Sequence, residues 1–327
     1  MFDVRSPGEF NHAHIPGAHS LPLFTDEERA HVGTIYKQQG KQKAIKTGLT
    51  YFGPMMKAHI DAVEHHLKFI NYTSNKILVH CWRGGMRSGG MAWLLELYGY
   101  EVGVLQGGYK AYRNWVLDNF NRPRQFRVLG GYTGSAKTET LQALKQLDHP
   151  IIDLEGLANH KGSAFGGIGQ HPQPTQEQFE NLLAQALNRL DDKTPIWIED
   201  ESQRIGKLNI PHALWNHLRQ QPVFFLNIPF LQRLNFIVEQ YGSLELQSLK
   251  DAVERIQKRF GPNETKITLQ LLDAGDVTSA FEILLRYYDK KYHASLRNRS
   301  NWESLMQPVD VEDTRPEHNA RKLIQLI

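Results

Sequence analysis

The 327-residue chain has a single cysteine, and its surroundings are those of a nucleophile. His80-Cys81-Trp82-Arg83-Gly84-Gly85-Met86-Arg87-Ser88 follows an apolar run, Lys76 to His80, that reads as a short buried strand. Ser88 to Tyr98 then reads as a helix. A thiol at a strand end above a helix N-terminus is pushed toward thiolate by the loop N–H groups and the helix dipole. Arg83 and Arg87 add positive charge, and the planar fork of Arg87 suits a tetrahedral oxyanion. An isolated cysteine is by default a structural core residue. The loop glycines and the paired arginines turn the reading to a nucleophile.

A second loop has the composition of a phosphate cradle. Gly131-Tyr132-Thr133-Gly134-Ser135-Ala136-Lys137-Thr138 follows the strand candidate Phe126 to Leu129 and opens a helix, Lys137 to Leu147. That is the context a P-loop needs. The backbone of Gly131, Thr133, Gly134 and Ser135 would cradle a diphosphate with Lys137, and Thr138 would reach Mg²⁺. Ala136 stands where the full pattern has glycine, placing a Cβ where backbone approaches phosphate. Trp197-Ile198-Glu199-Asp200-Glu201-Ser202 reads as an acidic strand end, with Asp200 or Glu201 as tentative Mg²⁺ acids and Asp153 as a rival. The bland reading of such a loop is a glycine-rich turn, which Lys137-Thr138 in register disfavours.

Both loops are strand-to-helix junctions, so the elements around them must be parallel α/β sheets. Further strand candidates are Pro150 to Asp153, Pro195 to Asp200 and Pro222 to Asn227. Gln176 to Leu190 and Leu249 to Phe260 read as helices, the second with Ser248 as N-cap, and Ile267 to Tyr292 as one or two more. The polar, Pro-containing Asn121-Arg122-Pro123-Arg124-Gln125 marks a boundary, dividing the chain into residues 1–120 and 121–327. Apolar residues make up 40% and charged residues 22%, an ordinary globular mixture. Mean hydropathy is −0.48, and no window approaches the ~18 apolar residues of a membrane span. One cysteine rules out an internal disulfide and a cysteine-based zinc site. The expectation is a cytoplasmic enzyme. Net charge is +3, with 13 basic against 10 acidic residues in 1–120 and 25 against 25 in 121–327. An RNA partner would be met by local patches such as Lys37, Lys41, Lys43 and Lys46, or Arg255, Lys258 and Arg259.

The Cys81 loop, Phe2-Asp3-Val4-Arg5-Ser6-Pro7-Gly8-Glu9-Phe10, His14-Ile15-Pro16-Gly17-Ala18 and Tyr100 to Tyr109 together resemble the rhodanese family over about residues 1–118. The resemblance implies a thiolate that carries sulfur or selenium. Cys81 and Arg87 enclose five residues, with Ser88 next, which also satisfies the His-Cys-x5-Arg-Ser pattern of cysteine phosphatases. That loop is one residue longer than in most rhodaneses, and it suits a phosphate-sized group. Phe2 and Asp3 fall within the family's first strand, so a late start or truncated N-terminus is expected, with a short edge strand.

A rhodanese-like half joined to a P-loop half narrows the choice further. Add Val32 to Gly40, Gly130 to Gly134, Asp153 to Gly166 and Glu199 to Gly206, and the chain resembles the tRNA 2-selenouridine synthase family over nearly its whole length. The fold implied is α/β: a rhodanese-like parallel-sheet domain, then a P-loop α/β domain with a mainly helical C-terminal part. The activity implied is replacement of sulfur by selenium at wobble uridine of tRNA. Selenium comes from selenophosphate, and the intermediate is an S-geranylated uridine made from geranyl diphosphate. On that reading Cys81 carries selenium, Arg83 and Arg87 serve its loop, and the P-loop holds a diphosphate leaving group. The alternatives are a cysteine phosphatase joined to a nucleotide-binding regulator, and an NTP-dependent RNA-binding module.

Overall fold

Lys76-Ile77-Leu78-Val79-His80 forms a strand that ends at Cys81, and the first unit is built around it. The structure, a computed structural model, describes residues 1–297, 299 and 301–327. The chain divides into two compact units, Met1–Asn119 and Phe120–Ile327. In the first, β1 (Phe2–Asp3), β2 (His19–Ser20), β3 (Lys76–His80) and β4 (Glu101–Val104) form a parallel sheet in the order β2-β1-β3-β4. Phe2 lies opposite Val79, and Ile77 opposite Val102. The helices are α1 (Pro7–His12), α2 (Asp26–Gln39), α3 (Lys41–Phe69), α4 (Met86–Tyr98) and α5 (Gly108–Asn119). Phe2, Val4, Phe52, Val63, Val79, Cys81, Met91 and Leu95 share one core.

Two expectations are corrected here. β1 is short, but it is no edge strand: it runs between β2 and β3, with Phe2 buried. The flanking backbone supplies the reason, since Val4 N–H donates to His80 O and His19 N–H to Met1 O, both at 2.9 Å. The helix after Cys81 begins two residues early, at Met86. Gly85 is its N-cap, at φ −105° and ψ −141°.

The second unit carries a five-stranded parallel sheet of β5 (Phe126–Gly131), β6 (Ile151–Ile152), β7 (Ile196–Glu199), β10 (Val223–Asn227) and β11 (Met306–Asp310), in the order β11-β10-β5-β7-β6. A small antiparallel pair, β8 (Arg204–Ile205) and β9 (Leu208–Asn209), follows β7. Helices α6 (Lys137–Gln146), α7 (Leu154–Ala158), α8 (Gln176–Asn188) and α9 (His212–Leu218) alternate with the strands. A helical region follows: α10 (Phe230–Tyr241), α11 (Leu246–Phe260), α12 (Pro262–Asp273) and α13 (Val277–Arg297). Then α14 (Trp302–Leu305) and α15 (Pro316–Ile324) flank β11. Trp197, Leu129, Leu141, Phe224, Leu226 and Leu323 pack one core. Leu234, Ile237, Val253, Phe260, Phe281 and Leu285 pack the helical one.

Ser248 is corrected from N-cap to helix interior. No Gly or Pro stands between Ser243 and Ser248, so α11 starts a turn earlier behind Glu245, and Ser248 Oγ donates to Glu245 at 3.0 Å. Strand β11 was not expected, because Pro308 lies within it; proline removes a ladder donor and is tolerated at an edge, where β11 sits. No helix of the described residues is long and apolar enough to cross a membrane.

The turn before α5 presses on the cysteine loop. Gly108 has φ +58°, and a Cβ there would meet Cys81 O, with Gly84 N at 2.5 Å and Arg83 N at 2.8 Å, all of it backbone. Gly108→Ala therefore combines a left-handed penalty with overpacking, about 3 kcal/mol in all. In urea unfolding of the full chain, the transition of the first unit should move to lower urea while that of the second stays in place.

Candidate functional site

Cys81 leaves the end of β3 and turns under the N-terminus of α4, so the thiol meets N–H groups that the first helical turn leaves free. Its Sγ lies 3.2 Å from Ser88 Oγ, and Ser88 Oγ donates to Gly85 O at 3.1 Å. Burial by itself raises the thiol pKa. Hydrogen bonds from the Ser88 hydroxyl and the N–H groups of Ser88, Arg83 and Gly85 outweigh it and bring the pKa below the ordinary value. Either group can donate across the Sγ–Oγ pair, and toward a thiolate only the Ser88 hydroxyl can.

The arginines of this loop differ. Arg83 is exposed. Arg87 donates to Glu9 Oε2 at 2.7 Å, so the expected oxyanion fork is held by a carboxylate from α1. Burial of Glu9 raises its pKa, but the Arg87 hydrogen bond and charge, with Ser6 N–H and Arg29, bring it below the usual carboxylate value. Beneath the loop, Arg5 binds Asp3 through two nitrogens, donates to Ala13 O at 2.7 Å and lies 3.8 Å over the Tyr109 ring.

In the second unit the glycine loop leaves β5 and opens α6. Gly134 has φ +81°, and Arg233 O and Ile237 Cγ1 each stand 2.8 Å from where a Cβ would be, so the position requires glycine on both counts. Ala136 occupies the left-handed region at φ +49°, where alanine costs about 1–2 kcal/mol more than glycine. Lys137 Nζ donates to Gly131 O at 3.0 Å, curling over the loop. Thr138 Oγ1 donates to Glu155 Oε2 at 2.7 Å. Ser135 Oγ is buried with no hydrogen-bond partner. Arg233 braces the loop: it donates to Thr133 O at 3.0 Å, binds Asp289 through both terminal nitrogens and stacks 4.9 Å over Tyr132.

Asp200 and Glu201 line the same cavity as Thr138, and the Asp200 oxygens accept from Tyr292 at 2.7 Å and Arg299 at 2.5 Å. Asp153 caps α7 by accepting from Gly156 N–H. Glu155 is the acid on Thr138, and Glu201 lies beside it. Burial and the neighbouring Glu155 push the Glu201 pKa well up, against the pull of Lys137. Glu199, buried at the end of β7, is raised likewise by burial and by Asp153 and Glu155. Among the described residues no three His, Cys, Asp or Glu side chains are grouped to hold a metal ion. The hard oxygens of Thr138, Glu155 and Glu201 suit Mg²⁺ that takes its other ligands from phosphate and water.

The phosphate loop forms one end of a cavity of about 670 Å³. Lys137, Thr138, Glu155 and Glu201 line it with the basic side chains Lys161, Arg219, Arg259 and Lys291. Phe236, Ile237, Tyr241, Phe281, Leu284 and Leu285 make an apolar wall on α10 and α13. Burial and the Glu155 charge push the Tyr241 hydroxyl up to about 12, so it stays protonated. Glu155 and Lys161 lie in the Asp153 to Gly166 stretch but had no role in the sequence reading, and Arg219 escaped it because it comes from the end of α9. Glu155 had a faint signal, two residues after the acid ending β6. Of the basic patches, Lys37, Lys41, Arg255, Lys258 and Arg259 are exposed.

Because Cys81 is the only cysteine, its ionisation can be read by alkylation. Ser88→Ala removes a donor to the thiolate, so the pH midpoint of the iodoacetamide rate should move up. An unchanged midpoint would deny the Ser88 hydroxyl its role.

Comparison with known proteins fits this geometry. The rhodanese-like domain family matches residues 1–114, and the tRNA 2-selenouridine synthase AAA domain family matches residues 124–309. A tRNA 2-selenouridine synthase of Nitrosomonas europaea is 39% identical over 247 residues, 74% of this chain but only 63% of that protein, under two thirds of its length. One from a Sulfurovum species is 34% identical over 337 residues, covering 92% of this chain and 90% of that protein. A crystal structure of the N-terminal domain of a putative ATP/GTP binding protein from Clostridium difficile 630 is 43% identical, covering 36% of this chain and 87% of that one, with a TM-score of 0.32. With both domain families matched in order and a relative aligned along nearly the whole sequence, the chain belongs to the tRNA 2-selenouridine synthase family.

Proposed function

We propose that the chain is a tRNA-modifying transferase that converts wobble 2-thiouridine to 2-selenouridine through S-geranyl-2-thiouridine, using geranyl diphosphate and selenophosphate. The observation that carries this reading is the cavity of the second unit, where a phosphate loop and an apolar wall share one space. A prenyl diphosphate has that division of polarity.

In the first step the thiocarbonyl sulfur attacks C1 of the geranyl chain, the C1–O bond breaks, diphosphate leaves and the N3 proton is lost. Lys137 and the loop N–H groups of Thr133 and Gly134 take up charge that develops on the leaving oxygen, while the N–H groups of Gly131 and Ser135 donate to the Tyr292 hydroxyl and Tyr132 O. Thr138, Glu155 and Glu201 would hold Mg²⁺, which neutralises diphosphate. The wall residues Phe236, Ile237 and Leu284 keep water from the allylic carbon. Alkylation turns sulfur into a good leaving group, so that selenium displaces geranyl thiol at C2 in the second step. The Cys81 thiolate attacks phosphorus of selenophosphate, the P–Se bond breaks and the hydrogen selenide released attacks C2. Water then returns the Cys81 thiophosphate ester to thiol and phosphate, whose oxygens the loop amides and Arg87 hold.

Glu9 disfavours the cysteine-phosphatase alternative. That chemistry needs a protonated acid for the leaving alcohol, and the carboxyl at this loop is held ionised by Arg87. The NTP-dependent RNA-binding alternative leaves the depressed thiol pKa of Cys81 without a use.

Nucleoside mass spectrometry of tRNA tests the reading. Cys81→Ser should abolish 2-selenouridine and leave S-geranyl-2-thiouridine forming; selenation by the serine variant at the normal rate would remove Cys81 from the mechanism. Lys137→Ala removes a charge-assisted contact of about 1.5–3 kcal/mol, roughly a ten- to hundredfold loss. It should appear in geranyl transfer at sub-saturating geranyl diphosphate, and unchanged kinetics there would refute the diphosphate role.

A further inference from the structure

Cys81 is 3% exposed, yet its neighbour Trp82 presents an indole that is 38% exposed. That indole is held in place. Tyr109 N–H donates to Cys81 O and Lys110 N–H to Trp82 O, each at 2.9 Å, so the main chain at Trp82 is tied to the start of α5. Its ring lies 5.8 Å from the Tyr109 ring, which is buried and covered by the Arg5 guanidinium. Aromatic contacts continue along α5 from Tyr109 to Tyr112 at 6.0 Å and from Tyr112 to Trp115 at 5.5 Å. A large apolar ring left in water beside a reactive atom, on a fixed backbone and against an aromatic run, is a preformed stacking surface.

Chemistry at C2 of a wobble uridine requires the base to leave its stack, because the reacting carbon is otherwise covered by its neighbours. Enzymes that act on extruded bases hold them by stacking on aromatic side chains. We infer that Trp82 is the platform on which the substrate uracil stacks while its C2 faces Cys81, with Arg83 beside it as a donor to the RNA. The inference rests on the tRNA reading above and makes Trp82 a substrate-positioning residue. The hydrogen bonds that lower the thiol pKa come from the Ser88 hydroxyl and the N–H groups of Ser88, Arg83 and Gly85, and the indole supplies none of them.

The test uses the full chain, selenophosphate, and a tRNA transcript carrying S-geranyl-2-thiouridine at the wobble position. Trp82→Ala should lower selenation at sub-saturating tRNA by about tenfold or more, the size of one lost base stack. Trp82→Phe should recover most of the rate, and both variants should keep the wild-type pH midpoint of Cys81 alkylation. A second transcript bearing S-methyl-2-thiouridine should show the same loss with Trp82→Ala. A loss confined to the geranylated RNA would assign the indole to the prenyl chain and overturn the platform. So would Trp82→Ala at the wild-type rate, a phenylalanine variant no better than alanine, or a moved alkylation midpoint. If the wild-type chain forms no selenouridine, the proposed function falls. Trp82 is then judged by affinity for the same transcript, which must still weaken about tenfold in Trp82→Ala for the platform to stand.

Discussion

A guanidinium taken out of water must keep its charge, so it must find a carboxylate, and both chemical loops hang on that requirement. Arg5 and Arg233 are 2% and 3% exposed, and each meets an aspartate, Asp3 or Asp289, with two nitrogens. Each also covers a tyrosine ring and donates to a main-chain carbonyl of its own unit. Through Tyr109, Arg5 fixes the turn against which the cysteine loop closes. Through Thr133 O, Arg233 fixes the phosphate loop. Removing one partner of such a pair strands the other charge in the core, at about 3–5 kcal/mol. The two loops are thus rigid because arginines beneath them cannot be left alone.

The same junction makes two different surroundings. At Cys81 the N–H groups of a helix start and a serine hydroxyl lower the thiol pKa. At Thr133 to Thr138 the loop, Lys137 included, lines a cavity. What differs is the surrounding field. Glu155, Glu199 and Glu201 crowd the second loop closely enough that burial and mutual repulsion raise Glu199 and Glu201. The carboxylates by the first loop, Glu9 and Asp3, are each paired with an arginine, Arg87 and Arg5.

Sequence made the local parts legible. A strand, a glycine loop and a helix are contiguous, so the Cys81 and Lys137 loops, and the order of strands and helices around them, follow from apolar runs and turn residues. What comes from afar was hidden. Glu9 lies 78 residues from Arg87, and Asp289 lies 56 from Arg233. The apolar wall uses α10 and α13, whose inward faces look like any core stripe. Asp200 was legible as an acid at a strand end beside the second loop; its partners Tyr292 and Arg299, far down the chain, were not. Strand β11 escaped because proline argues against a strand unless the position in the sheet is known.

That proline has a bearing on how the protein survives in a crowded solution. An edge strand offers unpaired N–H and C=O groups to any other chain that can align with it. Pro308 withholds one donor from β11, and the opposite border, β6, is only two residues long. In the first unit β2 is again two residues, and β4 carries Gly103 within its four. The borders of these two parallel sheets are thus short, or, at Pro308, lack one donor. The apolar inner strands Ile196 to Ile198 and Val223 to Leu226 lie behind those borders, where fewer groups are offered to an incoming strand.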